Sequence, residues 1–165
     1  MESILVNSVF PIVCRGIKAS KLLVAGKWDW VRSDIDEQEK VDKLFPIEPH
    51  PPISRVMRLV ELLRSMTTDE IFVEFDCHGL RRPDSEEALT FGVAYPEEQW
   101  KYLVEFLHEP VQMDMGDHYK PVVLATDYND RIQMRYLNLF PFRGQKSSKH
   151  NEEGRYFVYA AVQKS

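Results

Sequence analysis

Four prolines in seven residues, Pro46-Ile47-Glu48-Pro49-His50-Pro51-Pro52, set the strongest constraint on how this chain can fold. Proline has a fixed φ and no amide hydrogen, so the stretch cannot run through a helix or a central strand. It reads as a stiff, extended connector. The pattern does not repeat, and 165 residues suit one domain that buries a real core without staples. The prolines are therefore read as a connector within a single domain spanning residues 1–165.

The segments on either side take their expected structure from apolar spacing. Residues 4–14 are rich in Val, Ile and Phe and read as a strand bent at Pro11, which suits an edge or a bulge. Residues 34–48 hold six acids and two lysines, with Ile35, Gln38, Val41, Leu44 and Phe45 spaced for a short amphipathic helix. Past the prolines, Ile53, Val56, Met57, Leu59, Val60, Leu62 and Leu63 recur at helical spacing, which predicts a helix over 54–66 with Ser54 as cap.

Residues 70–79 alternate as a central strand, followed by a polar loop at 80–87 and a second strand at 89–95. Pro96-Glu97-Glu98 opens a helix that runs to His108, before Pro110. Residues 122–126 and 131–139 form the best hairpin, turned at Tyr128-Asn129-Asp130. A polar stretch at 145–154 precedes a last strand at 156–162. Together these predict an α+β fold: a mainly antiparallel sheet of about five strands with two or three helices packed on one face.

The formal charge is −5, unevenly spread. Residues 67–118 carry thirteen acids against three bases, a net of −10, whereas residues 119–165 carry eight bases against four acids. Phosphate binding needs a net basic face, so nucleic acid is not the expected partner. A basic partner protein suits the acidic segment, and so does the plainer reading of a solvated acidic middle that pairs with a basic end.

The two cysteines, Cys14 and Cys77, show no CxxC or zinc spacing. Both lie in apolar runs, which reads as buried free thiols in a reducing compartment. The apolar run at 4–14 has no basic residue before it and no small-x-small cleavage site after it, and no stretch reaches membrane-span length. A cytoplasmic protein is expected, away from membranes.

Two sets of residues draw chemical interest. In an extended 70–79, Glu74, Asp76 and His78 share one face, close enough to bind a ligand or to act as an acid–base pair. Arg131 and Arg135 on the returning hairpin strand offer the simpler role of cross-strand partners. Trp28 and Trp30 flank Asp29 and read either as lids on the core or as an aromatic grip on a partner. A further cluster, His108-Glu109 with Asp114, Asp117 and His118, lies on a loop.

Cys77-His78 would point to opposite faces of a strand, which disfavours a nucleophile–base pair. No GxGxxG, P-loop, HExxH or GxSxG pattern occurs, so no cofactor or metal is expected. The first functional reading is a small acidic binding or accessory protein of inhibitor, immunity or regulatory type, acting on a partner protein. The alternative is an enzyme or small-ligand domain using Asp76–His78 or His108–His118. A third reading is a homo-oligomer joined through strand edges or the Trp28/Trp30 region.

Overall fold

The computed structural model describes residues 2–31, 38–107, 122–129, 132–139 and 156–165. In chain order these hold β1 (Ile4–Cys14), α1 (Ala19–Gly26), β2 (Trp30–Val31), α2 (Gln38–Leu44), β3 (Ile53–Leu62), α3 (Thr68–Cys77), β4 (Leu80–Arg81), α4 (Ser85–Ala94), α5 (Glu98–Lys101), β5 (Tyr102–Phe106), β6 (Val122–Asn129), β7 (Ile132–Leu139) and β8 (Tyr156–Gln163). The strands form one sheet in the order β1-β3-β8-β5-β6-β7-β2, with the two-residue β4 also paired to β8. Pairing is antiparallel except for β5 with β8 and β2 with β7. The class is α+β, as the sequence predicts, and among the described residues six strands have five residues or more.

β8 shows how the sheet makes two cores. Its Val158, Ala160 and Val162 join Met57 and Leu59 of β3 and Val104 and Phe106 of β5 on one face. Ala19 and Leu22 of α1, Val41 of α2, Phe45 just after it, and Ala88, Leu89 and Phe91 of α4 cover that face. Tyr159 and Ala161 point the other way, with Val60 and Leu62, into a second cluster covered by Ile71 and Phe75 of α3. Three helices thus pack on one face as expected, and α3 packs on the opposite one. Burying a side chain such as Phe75 contributes about 2–3 kcal/mol as an upper figure.

Several middle segments differ from their sequence expectation. The predicted helix at 54–66 is strand β3, which lies between β1 and β8 and is buried on both faces. A doubly buried strand needs apolar residues on both sides, and such a run mimics helical spacing. The predicted strands at 70–79 and 89–95 fall on helices α3, which ends at Cys77, and α4. Each begins with a reciprocal capping box: Thr67 with Glu70, and Asp84 with Glu87. The second box also places helix where a polar loop is expected. The predicted helix from Pro96 lasts only through α5 before the chain extends into β5.

β1 carries an irregularity at Ser8, between Asn7 opposite Leu59 and Val9 opposite Arg58. Ser8 has φ +40°, and it is the extra residue of a bulge. Because of it, Ile4 and Val6 belong to the α3-side core, whereas Phe10, Ile12 and Cys14, also even-numbered, belong to the other. The bend expected at Pro11 is thus at Ser8, and Pro11 pairs in register with Val56.

Candidate functional site

The proline-rich stretch links α2 to β3 and is fastened in the middle. Glu86, in the first turn of α4, is 6% exposed. Its Oε1 accepts the backbone N–H groups of Arg15 (2.9 Å) and Gly16 (2.8 Å), just past β1. Its Oε2 lies 2.7 Å from His50 Nε2. One buried carboxylate therefore ties together the end of β1, the start of α4 and the connector. Gly16 has φ +62°, and a Cβ there would lie 2.2 Å from the His50 backbone nitrogen, so only glycine lets the turn approach this closely.

The His50 ring meets Pro51 O through Nδ1 at 2.6 Å. Its pKa is raised above the ordinary histidine value, first by that carbonyl bond and then by the bond and charge of Glu86, with burial opposing. An open cleft of about 220 Å³ lies beside the pair, lined by Pro46, Ile47, Glu48, His50, Asp84, Ser85 and Glu86.

The next residue, Glu87, is 1% exposed and faces a different set of partners. Arg81 binds it through both terminal nitrogens (2.8 and 2.5 Å), Arg55 Nε donates at 3.2 Å, and the Asp84 N–H donates at 2.8 Å. Cys14 is buried close to these acids. Burial first, and then the charges of Glu86, Glu87 and Asp84, push its thiol up to about 12. It stays protonated and unreactive, which excludes it as a nucleophile. Cys77 is free and exposed, rather than buried as its apolar neighbours suggest.

The residues singled out in the sequence do not converge. Glu74 and Asp76 lie on α3 and His78 caps its C-terminal end, so Glu74 and Asp76, two apart, are separated by about 200° around the axis. Glu74 and His78 share a side, with His78 Nδ1 2.9 Å from Glu74 O and 3.8 Å from its Oε2. Asp76 points elsewhere and binds Lys164 at 2.7 Å. Arg135 is no partner for them. It donates to Gln99 Oε1, Gly26 O and Gly92 O, and its guanidinium lies 5.8 Å from the Trp28 ring centre. Arg131 lies outside the described residues.

Trp28 packs against the core on the α1 side, with its ring over Gly26. Trp30 lies in β2 opposite Tyr136. The His108–His118 cluster lies outside the described residues. Among the described residues no group of three His, Cys, Asp or Glu is placed to hold a metal ion.

Among the described residues, four acids of the acidic middle are internal, whereas Asp69, Glu70, Asp76, Asp84 and Glu97 are exposed. Glu86, Glu87, Glu98 and Glu105 are buried, Glu98 binds Lys101 and Glu70 binds Arg64. The surface also carries an apolar element. β1 is an end strand of eleven residues without one charge. Val9 (58% exposed) and Val13 (41%) flank Pro11 on one face, with Arg58, the partly buried Val56 and Ser54 as their cross-strand neighbours. The strand edge is guarded at its centre, since Pro11 has no N–H and its carbonyl accepts the Tyr95 hydroxyl at 2.6 Å.

The residues that sequence reading missed, His50, Glu86 and Glu87, carried a partial signal. Asp84-x-x-Glu87 is a capping-box pattern, which announces a helix start. Nothing local pairs His50 with a carboxylate 36 residues away. Comparison with known protein families, with curated proteins and with solved structures finds no match.

Proposed function

We propose that this is a non-catalytic binding protein that engages a partner protein through the apolar patch of Val9, Pro11, Val13 and Val56. The observation that carries the reading is an uncharged end strand with two valines about half exposed on one face. End strands ordinarily carry charge to prevent unwanted pairing, and an apolar patch left open on one is a feature of interaction sites. Pro11 and the Tyr95 hydroxyl block strand addition at the centre of the edge, so the contact is made by side chains. The net charge of −5 favours a basic partner during approach, while the apolar patch holds it once docked.

The test is a double substitution, Val9→Asp with Val13→Asp, set against Val73→Asp on the exposed side of α3. Wild type and the Val73 variant should capture the same protein from source-cell extract, more weakly at high salt. The double variant should lose it while keeping its circular dichroism. Capture that ignores the double substitution overturns the reading. So does wild-type protein that sediments as a dimer and becomes monomeric in the double variant, because the patch would then serve a second copy of this chain.

A further inference from the structure

His50 has two bonding partners, and each accepts only. The Pro51 carbonyl oxygen has no hydrogen to give, and an ionised Glu86 carboxylate has none either. Holding both bonds therefore requires a proton on each ring nitrogen, which is the charged imidazolium. A neutral imidazole carries one N–H and must release one partner. If it releases Glu86, a carboxylate that is nine-tenths buried loses the partner of its Oε2. If it releases Pro51, the ring loses the bond that orients it. Four of the seven connector residues, Pro46, Pro49, Pro51 and Pro52, have no amide to offer in replacement.

From this geometry we propose that His50 is a proton-operated latch. Charged, it closes the proline-rich connector onto the start of α4 and the Arg15–Gly16 turn. Neutral, it keeps one bond at most. The Nε2–H tautomer stays on Glu86 without the carbonyl that orients the ring, and the Nδ1–H tautomer leaves Glu86. Either way the hold on the connector beside the cleft of Glu48, Asp84 and Ser85 is loosened.

The charged groups around the ring are Glu86 and Asp84 from α4, Glu48 from the connector itself, and Arg15 on the turn that Glu86 binds. Three of the four are anions and favour the charged ring. With the histidine's pKa raised in the folded protein, the latch is fully engaged below the ordinary value of 6.5 and is lost as pH rises through the folded value. The latch uses none of the patch residues, although Arg15 lies two residues past Val13, and its test reads the His50 titration and amide protection without any partner.

The experiment follows the full chain by NMR from acid to alkaline pH, reading the His50 ring carbon-bound protons and the exchange protection of the Arg15, Gly16 and His50 amides, corrected for intrinsic rates. The expected result is a His50 midpoint above 6.5, with protection falling at least tenfold through that same midpoint. Glu86→Gln gives the sharper contrast. The glutamine oxygen still accepts from Arg15 and Gly16, and its NH2 donates to an unprotonated Nε2 while Nδ1–H keeps Pro51. In that variant the His50 midpoint drops and the connector stays protected at alkaline pH. Protection that stays flat through the wild-type His50 midpoint shows a static ion pair and overturns the latch. A protection step that persists in Glu86→Gln overturns it too.

Discussion

Tyr159 and Glu87 show opposite fates for a buried polar group. Tyr159 has no exposed surface, and among the described residues its hydroxyl has no hydrogen-bond partner. Burial, and then the nearby Glu105 charge, raise its pKa. Removing an unsatisfied hydroxyl removes a desolvation penalty, so Tyr159→Phe should stabilise the protein by about 1 kcal/mol. Urea unfolding checks this, and a loss of stability would show that the hydroxyl is satisfied. Glu87 is equally buried but accepts from Arg81, Arg55 and the Asp84 amide. Glu87→Ala strips two guanidiniums of their carboxylate and opens the cap of α4. Both arginines are about one-third exposed and water recovers part of the loss, so roughly 2–3 kcal/mol is expected, less than for a fully buried pair. Glu87→Gln should fall between, by the same measurement.

At the scale of elements, β1 shows how one residue rearranges a pattern. With Ser8 in place, the even-numbered residues change faces along the strand, yet each half has its apolar side chains in a core. Removing Ser8 would join Asn7 to Val9 in unbroken alternation and leave every other residue on its present face. It would also remove a serine at φ +40°, a conformation that costs about 1–2 kcal/mol without glycine. Deleting Ser8 is therefore expected to leave stability unchanged or about 1 kcal/mol higher. Inserting one alanine after Phe10 should turn Ile12 and Cys14 out of the core and cost several times more. Thermal melts of the two variants separate these outcomes, and a Ser8 deletion that unfolds would mean that the twist of the bulge is required.

For the whole molecule, two groups titrate in opposite senses. Glu70 has its pKa lowered by the Thr67 backbone bond, then by Arg64 and the Thr67 side chain, so its contribution is present above the ordinary 4.5 and is lost as pH falls through the folded value. His50 contributes below 6.5 and fades as pH rises through its raised value. The melting temperature should therefore be highest between these two ranges. Glu70→Gln should remove part of the acid slope and His50→Gln part of the alkaline slope, both read by calorimetry against pH. A wild-type profile without an alkaline slope would refute the role given to His50.

What the sequence determined by itself is whatever rests on neighbouring residues. The β-rich run of β1, the β6–β7 hairpin, the last strand and the proline connector all follow from local chemistry, and together they predict the α+β class. The capping boxes at Thr67 and Asp84 were legible in the same way, and they identify α3 and α4 more reliably than the alternation of Ile71, Val73 and Phe75. Tertiary structure decided what depends on having two sides. β3 and β5 are buried on both faces, which erases the period that separates strand from helix. Glu74, Asp76 and His78 fell on a helix and its C-terminal cap, where spacing by two scatters them. The connector was evident as a stiff spacer, but its fastening through Glu86 exists only because folding brings α4 and the end of β1 to one histidine.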